Sequence, residues 1–332
     1  MQKNDILMST VRPNLQAFAR FSYETEDVIA STGFAVITPK QDANADFIYH
    51  NLFSHAITQQ INTLIAGSNY PAVNSSQVGS LELMLPHIDE QRRIAAVLNA
   101  CDRKLDLLRQ ELAALNRRKQ GLTQKLLTGQ KRFSKFDNQK WKHAKLGDVT
   151  IESKLRNNGT LTEKDLYAVT KAEGMIPMRE RVRGESVERC KVVRKDWFAY
   201  NPMRLNIGSI ARWRGDEDVL VSPDYVVFKC DESKLDPSIL DHLRRTHQWA
   251  EFVESSGDGS VRVRIWYSHL AHFKFHLPPL EEQRRIAAVL NACDKEITLL
   301  KQQLDALKRQ KRGLMQKLLT GQIRVKVTEG FG

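Results

Sequence analysis

A run of thirteen residues occurs twice in this chain without a change: Glu90-Gln91-Arg92-Arg93-Ile94-Ala95-Ala96-Val97-Leu98-Asn99-Ala100-Cys101-Asp102 returns at Glu282 to Asp294. Lys125-Leu126-Leu127-Thr128-Gly129-Gln130 returns at Lys317 to Gln322, again 192 residues later. The repeated unit is therefore about 45 residues long, and whatever it folds into is built twice. Its apolar positions are Ile94, Leu98, Cys101, Leu105, Leu108, Leu112, Leu115, Leu122 and Leu126 in the first copy. In the second they are Ile286, Leu290, Cys293, Ile297, Leu300, Leu304, Leu307, Leu314 and Leu318. Spacings that alternate four and three make a heptad seam on a helix. Lys119 and Lys311 hold the one polar seam position, where a charge costs stability but favours one register. Gly121 and Gly313, two residues on, mark the expected place for a bend or fraying.

The stops are also legible: Lys125 and Lys317 in the last turn, then Gly129 and Gly321 where a left-handed cap residue belongs. Each helix should span about 40 residues, or roughly 60 Å, and must lie against something of similar length. The other copy is the natural partner, and an antiparallel two-fold pairing would bury both seams at once.

Charge follows the same division. The chain carries a formal +12. Residues 92–132 hold 11 Lys and Arg against 3 acids, and residues 284–324 hold 10 against 3. The segments before and between the helices are near neutral or acidic, so the helices exceed the net charge of the whole chain. A solvated basic face, a phosphate backbone or an acidic partner subunit are each consistent with that. No apolar run reaches the length of a membrane span, and Met1-Gln2-Lys3-Asn4-Asp5 is no signal peptide, so a cytoplasmic protein without a membrane partner is expected. Cys101, Cys190, Cys230 and Cys293 have no close pairing, which speaks against a disulfide framework or a zinc knuckle.

The segments preceding the helices correspond more loosely. Asp5 to Met8 and Ser31 to Ile37 answer Asp196 to Ala199 and Ser222 to Phe228, all strand-like. Helical stretches at 46–65 and 237–254 follow, then Gly-Ser turns, then Leu85-Pro86 or Leu277-Pro278 at the helix entry. The resulting expectation is an α+β chain with two domains separated by two long helices forming an antiparallel coiled coil. The boundaries read as 1–85, a first helix 86–130, a second domain 131–277, a second helix 278–322 and a tail 323–332.

Three features together, Leu-Pro-x-x-x-Glu-Gln opening a long helix, Lys-Leu-Leu-Thr-Gly-Gln closing it, and both present twice around Asn201-Pro202-Met203-Arg204-Leu205-Asn206, make the chain resemble the specificity subunit of type I restriction-modification systems. The resemblance covers essentially every residue. It implies target-recognition domains that each read half of a split sequence in double-stranded DNA, and helices that set their spacing and dock methyltransferase (modification) subunits. It also implies a non-catalytic role, with methylation and restriction carried out by those subunits and a restriction subunit. The chain departs from the pattern at its start: the counterpart of Trp141 would lie about fifty residues before Met1. On that reading the first recognition domain is partial, one half-site is weakened, and self-association or pairing with another specificity chain is the expected route to two half-sites.

Within the second domain, residues 179–214 hold 10 basic against 4 acidic residues. Arginine can fork onto guanine or phosphate and asparagine onto adenine, so Arg179, Arg181, Arg183, Arg204, Asn206, Arg212 and Arg214 are candidate DNA contacts. Gly257-Asp258-Gly259-Ser260-Val261-Arg262-Val263-Arg264 adds Arg262 and Arg264 on a flexible turn. Trp213 and Tyr200 read as core. Catalytic motifs are weak. Asn201-Pro202-Met203-Arg204 lacks the second proline and aromatic of an adenine methyltransferase, and Val227 stands where a nuclease-type Asp224…Lys229 would need a carboxylate. His269, His272 and His276 lack metal-binding company. No Walker loop or dinucleotide fingerprint is present, so no cofactor is expected. A competing reading makes the chain a coiled-coil scaffold or inactive remnant that assembles with partners without reading DNA.

Overall fold

The computed structural model describes residues 1–25, 27–65, 71–178, 187–256 and 264–325. The chain divides into two compact units, residues 1–113 with 298–332, and residues 114–297. Each unit therefore combines one domain with the amino-terminal part of one long helix and the carboxy-terminal part of the other.

In the first unit, strands β1 (Ile6–Ser9), β2 (Phe18–Arg20) and β3 (Phe34–Ile37) form an antiparallel sheet in the order β2-β1-β3. Alternation puts Ile6, Met8 and Ala35 on one face, where they pack with Ile48, Leu52, Ile57 and Ile61 of α1 (Ala45–Leu52) and α2 (His55–Leu64). The single helical stretch expected at 46–65 is split, because Ser54 accepts from Ile57 N and caps α2. A short α3 (Ser75–Gly79), opened by an Asn74/Gln77 capping box, leads to α4 (Ile88–Leu127). On the opposite sheet face Val36 is 43% exposed.

The second unit opens with β4 (Lys142–Lys145), α5 (Leu146–Val149) and β5 (Thr150–Ser153), followed by the hairpin β6 (Tyr167–Thr170) and β7 (Gly174–Pro177). Then come β8 (Lys191–Val193), β9 (Phe198–Tyr200), β10 (Ile210–Arg212), β11 (Val219–Val221) and β12 (Val226–Cys230). Helices α6 (Pro237–Leu243), α7 (His247–Ser255) and α8 (Tyr267–Leu270), strand β13 (Lys274–Leu277) and α9 (Leu280–Leu318) complete it. Its main sheet runs β10-β9-β12-β5, and the first three strands repeat the order and pairing of β2-β1-β3. Here both faces are covered. Phe198, Tyr200 and Phe228 point toward α6, α7 and the start of α9, while Ala199, Ala211 and Val227 pack with Val193, Val219 and Val221. Residues buried on both faces of a strand read as a continuous apolar run, which is why 226–228 lacks polar alternation. Tyr200 is fully buried, whereas Trp213 is half-buried: it packs edge-on to Tyr167 at the margin of the core and donates its indole N–H to Glu217 O.

The two long helices have 40 and 39 residues, the length the repeat predicts. Within each unit their segments run antiparallel: Ile94, Ala95 and Leu98 meet Leu318, Leu319, Leu314 and Met315 in the first unit. Leu122, Leu126 and Leu127 meet Ile286, Ala287 and Leu290 in the second. Leu98, Leu105, Leu115, Leu290, Ile297 and Leu300 are buried, and Leu108, Leu112, Leu304 and Leu307 are half-buried. Both helices continue through Gly121 and Gly313 without interruption, and a Cβ at either would meet open space. Among the described residues no helix is long and apolar enough to cross a membrane.

Candidate nucleic-acid interface

The polar members of the repeated motif do the joining. In the second unit Gln283 Oε1 accepts Asp236 N (2.9 Å), and its Nε2 donates to Lys234 O (2.8 Å) and Pro278 O (2.9 Å). In the first, Gln91 makes the same three bonds to Asn44 N, Asp42 O and Pro86 O. Buried Glu282 receives the fork of Arg132 at 3.0 and 2.8 Å and the Trp141 indole N–H at 2.8 Å. Glu90 receives Arg324 and Val325 N. Asn99 and Asn291 bond the buried imidazoles of His50 (2.9 Å) and His242 (3.0 Å). The polar seam position finds a carboxylate each time: Lys119 pairs with Asp294, and Lys311 reaches Asp102 at 2.6 Å. A buried donor or acceptor without a partner is costly, so the three bonds of each glutamine and the ionic contacts hold each domain at one rotation and register on its helices.

On this framework the candidate DNA-contacting residues fall into separate places. Arg204 and Asn206 are exposed on the tight turn between β9 and β10, closed by Asn201 N to Ser209 O. Gly208 in that turn has φ +88°, a conformation open to glycine at little cost. Ile265 N donates to Pro202 O (3.0 Å), which brings exposed Arg264 alongside the same turn. Arg179, Arg181, Arg183 and Arg262 lie outside the described residues. His269, His272 and His276 are exposed, the last with its ring tilted at 51° against His143, centroids 4.3 Å apart.

Arg212 and Arg214 point elsewhere. Arg212 donates from Nε and Nη2 to Asp196 (2.8 and 2.5 Å) and from Nη1 to Ser238 (2.7 Å), with its side chain 13% exposed. Its repeat counterpart, Arg20, pairs with Asp46, the counterpart of Ser238. Arg212 therefore belongs to the framework, tying β10 to the first turn of α6. Asp196 itself has φ +67°, as Asn4 has +76° at the same place before β1, so Asp196 answers Asn4 and the alignment with Asp5 read from sequence is shifted by one residue. Arg214, 53% exposed, donates to Asp241 at 2.6 Å. Asp241 is also bonded by Arg244 and Arg245, the latter at 3.2 Å. Burial alone would raise the Asp241 carboxyl, but Arg244, Arg245 and Arg214 hold it well below the usual carboxylate range. The Asp241-His242-Leu243-Arg244-Arg245 spacing places the two arginines three and four residues on, an i,i+3/i,i+4 signal present in the sequence. What sequence spacing could not supply is Arg214, delivered from another strand.

Comparison with known proteins gives the context. The family model for the type I restriction modification DNA specificity domain matches residues 1–117 and 138–309. The MjaX specificity subunit of a type I restriction enzyme from Methanocaldococcus jannaschii is 23% identical over 342 residues, spanning 97% of this chain and 79% of that protein. The MjaVIII specificity subunit from the same organism is 22% identical over 78% of this chain and 66% of its own length. In fold, the S subunit of the type I restriction-modification system from M. genitalium superposes with a TM-score of 0.61 at 13% identity, over 99% of this chain and 84% of that one. A chain from a type I R-M complex superposes at 0.56 with 22% identity, over 97% and 83%. With both copies of its domain matched, and with the same domain-on-helix arrangement in each, the chain belongs to the type I restriction modification DNA specificity family.

Proposed function

We propose that this protein is the DNA-recognition subunit of a type I restriction-modification complex, directing methyltransferase and restriction subunits to a bipartite target. The observation that carries this reading is the family match across both domains, each seated on the same helix framework through the same Gln, Glu and Asn contacts. Each domain reads one half-site in double-stranded DNA. In the second domain the turn carrying Arg204 and Asn206, with Arg264 beside it, presents exposed donors of the kinds that read guanine and adenine edges. Arg214 supplies backbone contact, and Arg179, Arg181, Arg183 and Arg262 complete the set proposed from sequence. The subunit itself is non-catalytic and works in the cytoplasm. Methylation and cleavage are performed by its partners, which dock on the basic helices.

The test is methylation-site sequencing of DNA from cells carrying the cognate methyltransferase subunit, with and without this chain. A new split motif that depends on the chain is the expected result. No new motif, with the complex assembled, would leave a scaffold and remove the recognition role.

A further inference from the structure

The internal repeat supplies a control that few proteins offer. Contacts that build the framework recur in both units, as those of Gln91/Gln283, Glu90/Glu282, His50/His242 and Arg20/Arg212 do. The arginine cluster around Asp241 does not recur. The positions of Asp241, Arg244, Arg245 and Arg214 correspond to Tyr49, Leu52, Phe53 and Ser22 in the first domain. In the first domain Leu52 and Phe53 fill these positions as apolar packing, so the fold is made there without charge, and in the second domain buried Asp241 and largely buried Arg244 take that structural place while Arg214 and Arg245 stay part-exposed beyond it.

The cluster lines a cleft of about 650 Å³ within the second unit, together with Lys171 from the β6–β7 hairpin tip. Two carboxylates line it, Asp241 and Glu173, against five cations including Arg212. Arg212 is neutralised by Asp196, so among the lining residues four cations face two carboxylates, an excess that Asp294, 3.6 Å from Arg245 Nη1, offsets in part. Asp241 is 1% exposed and already bonded by three guanidinium groups, so it cannot neutralise them all. It holds them in place. Arg214 bonds it through Nη2, and Arg214 and Arg245 remain 53% and 42% exposed; each guanidinium carries five N–H donors, more than these contacts use, although Arg245 Nη1 also faces Asp294 at 3.6 Å. Gly174 and Gly208 also line the cleft, with φ of +76° and +88°, and the aliphatic part of Lys171 lies 3.3 Å from where a Cβ on Gly208 would be, so the lysine stem packs close to backbone at the cleft. Forked guanidinium donors beside a lysine suit the oxygens of a diester phosphate.

We propose that this cleft is a phosphate clamp, in which Lys171, Arg214 and Arg245 seat a backbone phosphate of the duplex read by the second domain and Asp241 is the positioning residue. The inference rests on the recognition role proposed above and adds Lys171 and Arg245, neither of which is among the DNA-contact candidates of the sequence analysis. A phosphate contact fixes the register of the domain on the duplex without reading sequence.

The experiment is a salt titration of the full-length chain binding a fluorescent random-sequence duplex, for the wild type, the triple variant Lys171→Gln/Arg214→Gln/Arg245→Gln, and a control triple Lys140→Gln/Lys142→Gln/Lys164→Gln. The control removes three exposed cations of the same domain outside the cleft. Asp241 and Arg244 are kept so that folding is preserved, and matching melting temperatures confirm it. The clamp variant should lose about one unit from the slope of log K against log salt for each phosphate contact removed, and bind roughly tenfold or more weakly at low salt, while the control changes little. Arg214→Lys alone should keep the slope, since the charge remains. Equal losses in both triples would mean a diffuse field only and overturn the clamp. So would protection of the wild type by millimolar inorganic phosphate with no change in the duplex slope of the clamp variant, which would identify a small-anion site. A wild type that shows no salt-dependent duplex binding would sink the recognition role itself, and the clamp with it.

Discussion

Asp241 is a buried carboxylate on which Arg214, Arg244 and Arg245 converge. Removing it leaves the largely buried Arg244 guanidinium uncompensated. Asp241→Ala should therefore destabilise the second unit by about 3–5 kcal/mol, read as a lower denaturant midpoint at unchanged slope. The histidines make a prediction with a sign. His50 and His242 are buried, and burial, ahead of the weaker effects of their neighbours, pushes both below the ordinary histidine range. Asn99 Oδ1 can only accept, so Nε2 of His50 carries a hydrogen, and burial favours the neutral form of the ring. The unfolded chain then binds more protons than the folded one below about pH 6.5, so stability falls as pH drops through that value. Urea midpoints measured from pH 7.5 to 5 should decline more steeply for the wild type than for His50→Gln/His242→Gln.

At the scale of elements, the long helices are specified by polar residues as much as by their apolar seam. A leucine seam alone permits several registers, because each heptad resembles the next. Lys311 on Asp102 and Lys119 on Asp294 select one. Exchanging the charges in Lys311→Asp/Asp102→Lys should restore most of the stability that either single change removes, a coupling measurable by a double-mutant cycle. Glu282 is a stronger case, since the Arg132 fork and the Trp141 N–H both end on a carboxylate with no exposed surface. Glu282→Ala should cost about 3–5 kcal/mol, with loss of near-ultraviolet signal from Trp141 as the domain start detaches from α9.

For the whole molecule, the division of each helix between two units has a direct consequence. The first unit draws Leu314, Met315, Leu318 and Leu319 from α9, against Ile94 and Leu98. A fragment ending at Leu277 would expose that surface on α4 and also remove Ile286, Ala287 and Leu290 from the core of the second unit. It should be aggregation-prone and show less than the expected helicity of α4 by circular dichroism. Adding a separate polypeptide of residues 278–325 should recover both. A fragment that stays monomeric and fully helical would mean the helix segments contribute little to either core.

Periodicity and punctuation were enough to place the two helices, their antiparallel pairing and the correspondence of the strand-bearing segments, because a heptad seam, a glycine stop and alternating β-branched residues are local signals. The identical run from Glu90 to Asp102 was visible too, but not its reason. Only the folded chain shows Gln91, Glu90, Asn99 and Asp102 each bonded to a residue far along the sequence, with partners such as Arg324 and Lys311 that no spacing links to them. The same limit applied to the arginines. Counting charge marked 179–214 as basic, but the count treats Arg212 and Arg214 alike. Tertiary structure separates them, turning the first onto Asp196 and Ser238 and the second toward Arg245 and Lys171 around one cleft. Sequence determined what repeats, since repetition and periodicity are written along the chain. Which charges meet was decided by the fold, since electrostatic partners are set by distance in space and by burial from water.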